Sequence, residues 1–216
     1  MSFEGERAAL VAALVRGGYL SDGRVIDVLK RVPRELFVPD DVRGHAYVDC
    51  PQPIGFNQTI SAPHMVAIMS ELLDVKPDSR VLEVGTGSGY QAAILGELAG
   101  AGSVVSVERI PELAERARTL LAGLNYSNIT VVDGDGGVGF QEFAPYDRIL
   151  VTAAAPEVPQ SLVAQLAVHG KMLVPVGGRW SQTLIEVYKD SDGSIRGKSH
   201  GGCVFVPLIG RGGWNA

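Results

Sequence analysis

Three groups of residues have the types and spacing to do chemistry. The first is the stretch 80–90, where an apolar run carrying Glu83 breaks into Gly85, Gly87, Ser88 and Gly89 before a helix-like segment begins. A strand, a tight glycine turn and a helix start bring bare backbone N–H groups up to a ligand. The second is a pair of acids at strand ends. Glu108 is placed to accept hydrogen bonds from both hydroxyls of a ribose, and Asp135, followed by Gly136, closes a later strand. The third is Ser61, two residues before Pro63, with Thr59 and Ile60 before it and His64 after it. Proline favours the first helical position, so Ser61 lies where a hydroxyl either caps a helix or meets a ligand beside its positive end.

These residues need elements to hold them. Residues 8–15 and 25–29 carry helical apolar stripes, separated by Gly17, Gly18 and the turn residues Ser21, Asp22 and Gly23, and Pro33 ends the second helix. Residues 44–62 read as a long loop, a form that in a compact domain is often functional. Pro63 then opens an amphipathic helix with Met65, Ile68, Met69 and Leu72 on one face, read as core. From residue 80 strands alternate with helices. The strands are 81–84, 103–108, 129–132, 147–152 and 171–176, with helices starting near Tyr90, Pro111 and Pro159, the last closed by Gly170. Continuous apolar strands suit a parallel sheet covered on both faces. Two late strands, 183–188 and 202–206, with a turn signal at Asp190, Asp192 and Gly193 between them, suggest an antiparallel edge. The expectation is one α/β domain over 1–216, a doubly wound, mostly parallel sheet. Residues 1–62 form a helical cap and substrate loop, and 63–216 form the cofactor-binding core.

The glycine spacing selects among ligands. The dinucleotide fingerprint needs a third small residue for close helix–strand packing, and here Tyr90 stands at that position. A phosphate-cradling Walker loop lacks its Lys-Ser/Thr pair. The order Glu83, Gly85, Gly87, Gly89 resembles the first motif of class I methyltransferases, which use S-adenosylmethionine. That resemblance makes Glu83 a negative charge compatible with the cofactor's ammonium and sulfonium, and makes Asp135 and Gly136 the site of the adenine edge. Each feature also has a plainer reading. Glu108 would serve a nicotinamide dinucleotide equally, Asp135 is a good turn former, and Ser61 is a good helix cap.

The string Tyr47 to Met65 is more specific, above all Thr59-Ile60-Ser61-Ala62-Pro63-His64-Met65. With Val32-Pro33-Arg34-Glu35-Leu36-Phe37-Val38-Pro39 and Phe205-Val206-Pro207-Leu208, it resembles the protein-L-isoaspartate O-methyltransferase family over nearly the whole chain. The resemblance implies methyl transfer to the abnormal isoaspartyl carboxylate, with Ser61 as the catalytic serine. It also implies cofactor contacts at Glu83, Gly85, Gly87, Ser88, Glu108, Asp135 and Gly136, with Thr59, Ile60 and His64 near the site. Members often have a different Gly/Gln pattern where this chain has Gly55, Phe56, Asn57 and Gln58, and Asn tolerates a left-handed backbone. His64 is equally readable as a first-turn helix residue, and Asp49 as a maker of turn hydrogen bonds. No role is assigned to Trp180 or Trp214. The chemistry agrees with the family. A carboxylate of pKa about 3.9 is already ionised at neutral pH, so in-line displacement needs orientation and no general base.

Composition narrows the setting. The 216 residues are 46% hydrophobic, 20% charged and 6% aromatic, with a net charge of −5. That describes an ordinary globular chain without the basic footprint of a nucleic-acid binder. The N-terminus lacks the pattern of a signal peptide, and no window is long enough for a membrane span. Two isolated cysteines read as reduced thiols, and no metal-ligand spacing occurs. A cytoplasmic monomer acting on isoaspartyl peptides is expected, with S-adenosylmethionine as cofactor and no metal, nucleic acid or membrane partner. A methyltransferase for another small carboxylate, and a silent binding protein on the same fold, are the alternatives.

Overall fold

The computed structural model describes residues 2–215. Helices α1 (Phe3–Arg16) and α2 (Gly23–Arg31) come first, followed by a hairpin of β1 (Gln52–Gly55) and β2 (Gln58–Ile60), and then by α3 (Pro63–Leu73). Asp22 caps α2 by accepting the N–H of Arg24 at 2.7 Å. The alternating part is β3 (Arg80–Val84), α4 (Tyr90–Leu98), β4 (Ser103–Glu108), α5 (Pro111–Gly123) and β5 (Ile129–Asp133). The chain continues through β6 (Tyr146–Val151), α6 (Gln160–Gln165), β7 (Leu166–Gly177), β8 (Gln182–Lys189) and β9 (Ile195–Cys203).

The large sheet has the order β5-β4-β3-β6-β7-β8-β9. Its first five strands are parallel; β8 and β9 form the antiparallel edge. The chain winds outward from β3 to β5, then crosses back to β6 on the other side of β3. A sheet of this kind opens a crevice at the strand carboxyl ends where the order reverses. Strand residues alternate between two apolar clusters. Val81, Val104 and Leu150 join α2, α3, α4 and α5 in one, while Leu82, Val84, Ile149 and Val151 join Leu162 of α6 and Leu208 in the other.

Four local expectations change. The 44–62 loop contains the β1–β2 hairpin, whose two turn residues, Phe56 and Asn57, have φ of 52° and 56°. Positive φ at both central positions makes the strand-compatible turn that two-residue hairpins prefer, and it re-aims the chain toward Ser61. On α3 the buried face is Val66, Ala67, Met69, Ser70 and Leu73, whereas Met65, Ile68 and Leu72 are half-buried. That helix lies between α2 and strands β6 and β7, so its apolar stripe is turned toward both. Helix α6 stops at Gln165, because Leu166 already pairs with Tyr146; a left-handed His169 (φ 63°) then absorbs a register shift before Lys171 pairs with Arg148. Finally, 204–206 leaves the edge ladder. Val206 accepts the N–H of Ala154 (2.8 Å) and Leu208 donates to the Ala154 carbonyl (2.8 Å). This folds the C-terminal segment back over the end of β6.

Candidate active site

A cleft of about 800 Å³, counted to its open mouth, lies at the carboxyl ends of β3, β4 and β6. One wall is the glycine loop. Gly85, Gly87 and Gly89 all have positive φ, at 98°, 53° and 86°. A Cβ on Gly85 would collide with the Thr152 hydroxyl, which donates to the carbonyls of Val84 (3.0 Å) and Gly85 (2.7 Å). Gly85 is thus required by both backbone conformation and contact. Gly136 brings its backbone so close to Val84 that a Cβ would overlap that side chain.

Glu108 ties the loop together. Its Oε2 accepts the Gly87 N–H at 2.9 Å and its Oε1 accepts the Ile110 N–H at 2.9 Å. Each carboxylate oxygen keeps a further lone pair, and Glu108 lines the cleft. Two fixed acceptors side by side suit a vicinal diol.

The opposite wall is Gln58, Thr59, Ile60 and Ser61. The helix-cap reading of Ser61 fails here. Ala62 is the N-cap of α3 and makes no side-chain cap bond. The first N–H groups of the helix are taken as well: Asp49 Oδ1 accepts that of His64 (2.9 Å), and the Ala62 carbonyl accepts that of Met65 (3.0 Å). Asp49, from the preceding loop, therefore does the capping. The Ser61 hydroxyl makes no hydrogen bond among the described residues, leaving it as a donor at the cleft wall.

Of the residues singled out in the sequence, Thr59, Ile60, Ser61, Gly85, Gly87, Ser88, Glu108 and Gly136 come together around this cleft. Three do not line it. The ring Nδ1 of His64 lies 2.9 Å from Asp49 Oδ1, and the ring packs against Tyr19. The Asp135 carboxylate accepts from the N–H groups of Gly137 (2.9 Å) and Arg211 (2.8 Å), pinning the C-terminal segment whose Pro207, Leu208 and Ile209 form part of the wall. Glu83 is fully buried under the loop, where it accepts the Ser106 hydroxyl; Ser106 and the Thr86 hydroxyl lie 2.5 Å apart. Sequence reasoning missed Thr152 and 207–209. Thr152 follows β6 at the strand's carboxyl end, a position where ligands bind, so it was findable. Pro207 and Leu208 belong to the 205–208 string already singled out, but nothing local places that string at the cleft.

Burial pushes the Glu83 carboxyl up to about 8 from an ordinary 4.5. Its proton is thus held well above the ordinary carboxylate range, so Glu83 ionises far less readily than an exposed acid. The folded state keeps this proton while the unfolded chain loses its own above about 4.5. Folding stability consequently falls as pH rises from there toward about 8, with a slope approaching ~1.4 kcal/mol per unit. Glu83→Gln removes the titration, so its stability relative to the parent should increase steadily between pH 5 and 8 in urea denaturation. A difference independent of pH would refute this assignment.

A family model for Protein-L-isoaspartate(D-aspartate) O-methyltransferase (PCMT) matches residues 5–213. The chain belongs to that family. A Methanopyrus kandleri protein-L-isoaspartate O-methyltransferase is 55% identical over 98% of this chain and 95% of its own. One of two such enzymes from Archaeoglobus fulgidus is 50% identical over 100% and 98%. A Plasmodium falciparum crystal structure described as a protein-L-isoaspartate O-methyltransferase, in complex with S-adenosyl-L-homocysteine, superposes with a TM-score of 0.84 at 28% identity, covering 94% of this chain and 98% of its own.

Proposed function

We propose that this chain transfers the methyl group of S-adenosylmethionine to the free carboxylate of L-isoaspartyl residues in peptides and proteins. The observation that carries the proposal is the Ser61 hydroxyl, unpartnered, across one cleft from Glu108 and the glycine loop. The cofactor fits the residues present: Glu108 offers two acceptors to the ribose diol, and the backbone at Gly85 and Gly87 leaves room for the methionine half. Thr59, Ile60, Ser88 and Gly136 complete its surroundings, while Glu83, His64 and Asp135 support that site from behind its walls. When bound, it supplies an electrophilic methyl on a sulfonium.

The chain's own contribution is orientation. The acceptor carboxylate arrives ionised, so no residue need remove a proton. Ser61 donates a hydrogen bond to one carboxylate oxygen and leaves the other free to face the methyl. Holding methyl donor and acceptor in line is worth several powers of ten in rate, of which the Ser61 hydrogen bond supplies roughly one to two. The ester, unlike a carboxylate, can lose its methoxy group: attack by the neighbouring backbone nitrogen on its carbonyl breaks the C–OCH3 bond, methanol leaves with the amide proton, and the succinimide so formed is opened by water partly to normal aspartate. That sequence is repair.

The test is incubation with methyl-labelled cofactor and paired peptides differing only in aspartate or isoaspartate. Label should enter the isoaspartyl peptide alone. Equal labelling of both would favour a less selective carboxylate methyltransferase, and binding without transfer would favour a silent reader. In this reading the working form is a cytoplasmic monomer, for which the free thiols Cys50 and Cys203 suit a reducing compartment; sedimentation at working concentration checks its size. No helix among the described residues is long and apolar enough to cross a membrane.

A further inference from the structure

Arg34 begins a short 3-10 turn, Arg34–Leu36, in the cap and is fully buried at 0% exposure. A buried guanidinium is costly unless it is well paired, and an apolar side chain of like volume is often no less stable. Among the described residues no carboxylate touches this one. The adjacent Glu35 is engaged instead by Arg7 (3.2 Å) and by the Tyr47 hydroxyl. Burial also pulls the Arg34 guanidinium below its usual range. The sequence thus carries a charged group where packing alone asks for none.

What a guanidinium adds is a rigid planar fork. Nε of Arg34 donates to the Ala46 carbonyl at 2.8 Å and Nη2 donates to the Ser61 carbonyl at 2.8 Å. Its Cζ lies 5.0 Å from the centre of the Tyr90 ring, at the start of α4 directly after the glycine loop. Ser61 needs such a hold. It stands between the last residue of β2, Ile60, and the N-cap of α3, Ala62, and its carbonyl belongs to neither ladder nor helix. Both Ser61 and Tyr90 line the cleft. The fork therefore ties the acceptor wall to the donor wall.

We propose that Arg34 is a positioning residue for methyl transfer: by gripping the Ser61 carbonyl against Tyr90 it aims the Ser61 hydroxyl at the acceptor carboxylate. This rests on the reading of Ser61 as the group that orients the acceptor. Arg34 does not line the cleft, so its effect on turnover passes through the groups it holds, and the Ser61 carbonyl is the one on the acceptor wall.

A double-mutant cycle tests it. Arg34→Lys keeps a charge but replaces the fork with a point donor that cannot span both carbonyls. In the parent chain it should lower kcat/KM for an isoaspartyl peptide about tenfold, a modest misplacement of the orienting group. In a Ser61→Ala background it should cost less than about twofold. Affinity for S-adenosylhomocysteine should stay within about twofold by calorimetry, and amide exchange at residues 60–65 should quicken while the parallel strands keep their protection. An equal fold loss in both backgrounds, or parent-like kcat/KM for Arg34→Lys, would overturn the proposal. Parent-like turnover of Ser61→Ala alone would overturn the Ser61 reading and this proposal with it, an outcome visible without any change at Arg34. Should the lysine variant fail to fold, Arg34→Gln, which keeps one amide donor, carries the same cycle with the same coupling expected.

Discussion

Ser61→Ala is expected to lower kcat for an isoaspartyl peptide by roughly 10- to 100-fold while leaving S-adenosylhomocysteine affinity within about twofold. A hydrogen bond to an ionised group contributes about 1.5–3 kcal/mol, and each 1.4 kcal/mol is tenfold in rate. The same variant distinguishes orientation from structure. Were the hydroxyl a helix cap, its loss would destabilise the fold by about 1 kcal/mol. The cap position belongs to Ala62, and the hydroxyl has no partner among the described residues, so stability should stay within about 0.5 kcal/mol of the parent. Turnover with the labelled peptide, calorimetry with the product cofactor and urea denaturation separate the three quantities. Reduced stability with parent-like kcat would reverse the assignment.

Glu108→Gln should weaken cofactor binding by roughly 10- to 100-fold. The carboxylate accepts from the N–H groups of Gly87 and Ile110, both at 2.9 Å, and presents its remaining lone pairs to the cleft. An amide has one acceptor oxygen. Whichever way it turns, its NH₂ faces one of the two backbone donors, leaving a largely buried N–H unsatisfied at about 1–3 kcal/mol. That cost falls on the loop in the free and bound states alike and should appear as lower stability, while the diol loses a charged acceptor worth about 1.5–3 kcal/mol, roughly 10- to 100-fold in Kd. The loss should appear in Kd and in KM for the cofactor, with kcat at saturation reduced far less. A Kd within about threefold of the parent would show that Glu108 is a loop brace alone.

These expectations differ in how far each was legible beforehand. Glu108 was readable because a strand end is a local event: Val104, Val105 and Val107, interrupted only by Ser106, lead directly to an acid. The glycine loop was readable for the same reason, since three positive φ values within five residues demand glycine and little else. The β1–β2 hairpin was not legible, because its turn uses Phe56 and Asn57 in place of the Asn-Gly that announces such turns. Asp135 was readable as a strand-end acid, but its tie to Arg211 joins residues 76 positions apart.

By itself, the sequence determined the alternation of strands and helices, the mostly parallel sheet with its antiparallel edge, the loop that faces a donor and the string around Ser61. Those features depend on residue order over a few positions, where periodicity and turn chemistry act. Tertiary structure alone decided what each polar group does. Glu83 became an acid that holds its proton more tightly than usual because packing removed its water. Asp49, not Ser61, became the cap of α3 because the loop returns across the helix start. Arg34 became the hold on Ser61 because two segments far apart in sequence close around one guanidinium. Burial and long-range hydrogen bonding are properties of the assembled chain, and no short stretch of residues records them.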